Sequence, residues 1–141
     1  MPRYAPDVLD ILLELLREAL PDVAVRSAIP DGVPGLVPLV VLRRIGGSSV
    51  RPRFWDGCLM NVQCWAAGVG DDIDPARAAG DLADSVRRTL WEALESQTVT
   101  SKGHIIGLRE TQGPMEIGDV DLPHLARFSA TYNVRVRPAL A

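Results

Sequence analysis

Residues 126–138, ARFSATYNVRVRP, alternate without a break. Phe128, Ala130, Tyr132, Val134 and Val136 fall on one side, and Arg127, Ser129, Thr131, Asn133, Arg135 and Arg137 on the other. A period of two is the signature of an extended strand, whose successive side chains point to opposite faces. One apolar face and one wet face imply an antiparallel sheet covered on a single side. The rest of the chain must supply the neighbouring strands and the cover.

The cover comes from two segments. VLDILLELLREAL, residues 8–20, follows Asp7, a good helix N-cap, and stops at Pro21, so a helix spans about 7–20. Its polar residues Asp10, Glu14, Arg17 and Glu18 form one narrow stripe, and leucines fill nearly everything else. Such a helix is either deeply buried or shared between its own sheet and a neighbouring subunit. A second helix runs from about 75 to 96, with Asp74 as N-cap, Pro75 at the first position, and Leu82, Val86, Leu90 and Ala93 on one face. Strands are expected over 22–30, 36–45 (with Pro38 near its start), 58–68 and 104–112, besides the last one. Strands come in runs and do not alternate singly with helices. The expected fold class is α+β: an antiparallel β-sheet of about four to five strands with two helices packed on one face. At 141 residues the chain is long enough for a single domain, 1–141, and short for two.

Chemistry is sparse in this pattern. Gly46-Gly47 lacks the lysine and hydroxyl residue of a phosphate loop, and the GVG at 68–70 leads into acids where a phosphate would sit. His104 and His124 are not spaced for metal with each other or with the cysteines. Asp71, Asp72 and Asp74 are explained by helix capping. No catalytic, cofactor or metal residues are assigned, and the chain reads as a non-enzyme. Cys58 and Cys64 share a strand six residues apart, about 20 Å at about 3.3 Å per residue, whereas a disulfide needs under about 7 Å. They read as buried free thiols in a reducing compartment. The N-terminal segment is interrupted by Asp7, Asp10 and Glu14, and fits neither a signal peptide nor a membrane span.

The net charge of −3 argues against a chain built as a whole to grip nucleic acid. What remains is local: Arg43, Arg44, Arg51 and Arg53 around a glycine pair. Arginine forks bind carboxylates or phosphates in two-point fashion. The cluster is either a solvated loop base or a charged contact surface. Its acidic counterpart elsewhere in the chain is either residues 70–74, with Asp71, Asp72 and Asp74, or residues 115–121, and an intersubunit pairing of the basic patch with one of them is expected.

The element order, with VPLVVLRRIGGSS, RPRFWDGCLMNVQCWA, ARAAGDLADSVRRTLWEAL, LRETQGP and the closing RFSATYNVRVRP, resembles the tail terminator (tail completion) proteins of long-tailed, non-contractile bacteriophages. The resemblance covers almost the whole chain. It implies a tail-tube-like fold and a structural virion protein at the tail–neck junction, assembled in the host cytoplasm. It implies a homo-oligomeric ring, a hexamer, that caps the tail tube protein, ends its polymerisation and docks the head-closure or neck protein. Genomic DNA would pass through the lumen without sequence-specific binding, with Arg127, Arg135 and Arg137 as channel-facing candidates. A head-closure or other neck connector is the alternative, and a small enzyme or ligand-binding domain a remote one.

Overall fold

A computed structural model describes residues 7–47, 54–118 and 124–139. The order is α1 (Val8–Ala19), β1 (Ala24–Arg26), β2 (Leu39–Gly46), β3 (Asp56–Ala67), α2 (Pro75–Glu95), β4 (Gly103–Ile117) and β5 (Leu125–Pro138). The strands form one five-stranded sheet in the order β1-β2-β3-β5-β4. The fold is α+β, as the alternation implies. The sheet is antiparallel except at one edge, where the short β1 runs parallel to β2. That pair is joined through the turn-rich segment 27–38, long enough to carry the chain back to the same end.

The register fixes which residues share a face. Cys58, Met60, Val62 and Cys64 of β3 stand opposite Val134, Tyr132, Ala130 and Phe128 of β5. Together with Val40 and Leu42 of β2 they form the side that meets the helices. α1 contributes Val8, Ile11, Leu12, Leu15 and Leu16, and α2 contributes Leu82, Ala83, Val86, Leu90 and Ala93. Of the other α1 leucines, Leu9, Leu13 and Leu20 pack partly buried against this same core. Exposed large apolar side chains lie elsewhere, at Ile29, Ile45, Phe54, Val69, Val99 and Met115.

The opposite face of the sheet, called the open face below, is not uniformly wet. A 3-10 turn at Val33–Gly35 folds over one end of it, and Val33 and Val37 cover Leu39, Val41 and Trp65. β2 is thus buried on both sides through Leu42, which explains its unbroken aliphatic run.

Both helix starts are capped as the sequence implies. The Asp7 carboxylate accepts the Leu9 amide at 3.0 Å and Asp74 accepts that of Arg77 at 2.7 Å. α1 is tied further to the turn before β4. Glu14 accepts the backbone N–H and hydroxyl of Ser101, which hold its carboxyl below the usual carboxylate range. At Gly103 a side chain would collide with the carbonyl of Arg137, so the start of β4 requires glycine.

The two cysteines are buried and unpaired on the helix side of β3. Burial pushes their thiols up, Cys58 to about 11 and Cys64 to about 12. Because the thiolate is the nucleophile, an aromatic disulfide reagent at about pH 8 should react with neither in the folded protein and with both in denaturant. Prompt labelling of one thiol under native conditions would contradict this packing.

Candidate functional site

The adjacent arginines Arg43 and Arg44 sit on one extended strand, so they leave it in opposite directions. Arg44 pairs with Met60 and lies on the helix side. Its Nη1 donates to Asp56 Oδ2 at 2.7 Å and to Asp7 Oδ1 at 2.9 Å, and its Nη2 donates to Asp56 Oδ1 at 2.9 Å. Asp56 is 6% exposed and also accepts the Val8 amide at 3.2 Å, at the start of α1. Burial alone would raise its carboxyl, but the Arg44 and Val8 hydrogen bonds outweigh that, and the net shift is downward. The same contacts with Asp56 raise the Arg44 guanidinium. Arg44 is therefore engaged inside the fold, clamping β2 and β3 to the first turn of α1.

Arg43 stands opposite Asn61, and Asn61 lies on the open face. It is exposed and belongs to no ion pair among the described residues. Arg51 and Arg53 fall outside the described residues. Asp71 and Asp72 project from a closed turn in which Val69 and Ile73 exchange backbone hydrogen bonds of 2.8 and 3.3 Å. Asp74, just beyond, is committed to the α2 cap. That turn follows the far end of β3, and Arg43 sits six residues short of that end, roughly 20 Å at about 3.4 Å per residue. The basic and acidic groups are kept apart within one molecule.

Arg127, Arg135 and Arg137 share the open face, as their alternation implies. Arg127 lies over the Trp65 ring, 4.8 Å from its centroid, and Arg135 lies over Trp55 at 4.0 Å. Between them, Asn61, Gln63, Ser129 and Thr131 form a linked polar bed, with Asn61 Nδ2 donating to Ser129 Oγ at 2.9 Å. The sequence pattern does not single out Arg109. Strict alternation along β4 puts it with Ile105, but a register shift between Ile105 and Gly107 turns Arg109 to the open face, opposite Asn133.

Among the described residues no group of histidine, cysteine and acid side chains is arranged to hold a metal. No helix among them is long and apolar enough to cross a membrane. A hollow of about 170 Å³ beside Trp55 and Arg135 is lined by Cys58, Leu59, Asn133 and the glycines Gly47 and Gly57, and no general base stands beside the cysteine among these residues.

No curated protein matches the chain. A family model described as phage tail termination protein matches residues 4–139, which takes in both helices, every strand and both charged surfaces, and the chain accordingly belongs to the phage tail termination protein family.

Proposed function

We propose that this phage tail structural protein forms a ring on the last layer of the tail tube, ends tube growth and offers the surface to which the neck docks. In this reading the chain acts as one domain, the ring is a hexamer as the family resemblance implies, and the tail–neck junction is its place in the virion. DNA passes along the lumen, and Arg127, Arg135 and Arg137 face it. Membership of a structural tail family points to a role without catalysis.

The observation that carries the ring is the separation of opposite charges along β3. A closed ring needs two different patches on each subunit that meet head to tail. Arg43, with Arg51 and Arg53, supplies one, and Asp71 and Asp72 supply the other. Arg44 is a weaker candidate for that contact, because Asp56 and Asp7 already engage its guanidinium. The informative charge reversal is therefore at Arg43. Arg43→Glu is expected to lower incorporation of the protein into tails, and adding Asp71→Arg and Asp72→Arg to restore part of it. Reversal without effect on incorporation would remove this pairing.

Capping itself is tested in particles made without the protein. Overlong tails, or tails that fail to join heads, are expected in electron micrographs. Normal-length tails beside heads that leak DNA would assign the chain to head closure instead.

A further inference from the structure

We propose that the open sheet face binds the phosphate backbone of duplex DNA and holds it, where free passage alone would need no such surface. The inference rests on the reading that DNA traverses the ring, but its binding step can be measured on the isolated chain.

The charge on this face is one-sided. Arg109, Arg127, Arg135 and Arg137 all register there, beside Arg43, whose charge the subunit contact uses. The acids that lie within strands register on the other side: Asp56 opposite Val136, Glu110 opposite Tyr132 and Glu116 opposite Phe128. The ion pairs of the described residues use Arg44, Arg87, Arg88 and Lys102, so among the described residues no acid pairs with the open-face arginines. In a chain of net charge −3 this is a strong segregation. Like charges crowded on one face weaken the fold, so the arrangement calls for an external polyanion.

The neighbours of these arginines favour nucleic acid over an acidic protein. They are Asn61, Gln63, Ser129, Thr131 and Asn133, neutral hydrogen-bonding side chains of the kind that accompany arginine at phosphate contacts. The indole rings under Arg127 and Arg135 hold two guanidinium groups in place, so less side-chain freedom is lost on binding. A face five strands wide is broader than the groove that admits a two-stranded ribbon, so the contacts go to phosphates and the binding is expected to be independent of sequence.

The test uses the full chain and a short fluorescent duplex of mixed sequence, titrated across a salt series. Affinity should fall as salt rises, with a log–log slope of about −0.9 for each phosphate neutralised. The double variant Arg109→Gln, Arg137→Gln removes two arginines that, among the described residues, neither stack on a ring nor pair with an acid. Its slope should be shallower by about 2, so that a fourfold salt rise costs it about tenfold less affinity than it costs the parent chain. Its melting temperature should be unchanged or higher, which a structural role for these arginines would not give.

Absent binding at low salt, or an unchanged slope in the variant, overturns the proposal. Displacement of the duplex by polyglutamate at equal charge concentration overturns it too, and assigns the face to an acidic protein. In phage carrying the variant, tails of regular length are expected. Lost length control would mean that this face touches the tube, and would overturn the assignment to DNA. Normal tails in particles without the protein would instead overturn the capping role and leave the measured DNA binding standing.

Discussion

Asp56→Ala should destabilise the protein by about 2–3 kcal/mol, because it removes the buried partner of a hydrogen-bonded ion pair whose other half is about a third exposed. For a chain of this size that is roughly a 10 °C fall in melting temperature. Losses add at one point. The Val8 amide gives up its acceptor at the first turn of α1, and the Arg44 guanidinium keeps only Asp7, which is largely solvent-exposed. Arg44→Lys should be milder than Arg44→Ala, because an ammonium keeps the charge but cannot engage both Asp56 oxygens with a rigid fork. The double variant Asp56→Ala, Arg44→Ala should lose clearly less than the sum of the single changes, since each single change strands the other partner. Simple additivity would show that the two groups act independently and that the clamp is not what holds α1 to the sheet.

The same pair sets a pH dependence of definite sign. The Asp56 carboxyl lies below its ordinary value of 3.8 in the folded chain. The unfolded state therefore binds the proton first as pH falls. The stabilisation is fully present above about pH 4, and is lost progressively as pH drops through the lower folded value. Acid unfolding of Asp56→Ala should lack this component, and its stability difference from the parent should shrink as the pH is lowered.

The sequence shows its limits at the same strand. Alternation in residues 126–138 was enough to place the sheet, its covered side and the shared face of Arg127, Arg135 and Arg137. The helix ends were legible because Asp7, Asp74, Pro75 and Pro21 act locally. Arg43 and Arg44 are a different matter. Nothing in their spacing says that one is satisfied by Asp56, 12 residues on, and the other is left to solvent. A β-strand separates neighbours by construction, so a charged pair in a strand is better read as one residue per face than as one patch. Arg109 was hidden by a bulge, which depends on pairing with β5 and leaves no mark in period-two counting. The cover over Leu39 and Val41 was hidden for a similar reason: it is made by a Pro- and Gly-rich segment whose sequence signals only a turn.

Leu12→Ala should destabilise the isolated chain by about 2–5 kcal/mol, the range for emptying a fully buried leucine site. The value of this experiment lies in where the loss is measured. A nearly all-apolar α1 suggests a helix waiting for a second subunit, and in that case truncating it would cost little until the ring assembled. The packing says otherwise. Leu12 is fully buried within one chain, and the neighbouring Ile11, Leu15 and Leu16 share the same core with β3, β5 and α2. Leu9 and Leu13, which are partly exposed, should give smaller losses in the monomer. A Leu12→Ala chain as stable as its parent in solution, but defective on the tube, would return α1 to the subunit interface. The expected result leaves assembly to the charged surfaces and to the exposed apolar side chains near the sheet ends, Ile45, Phe54 and Val69 among them. Ring formation would then rest on edges that a stable monomer already presents, so the subunit can fold first and assemble only when it meets the tube.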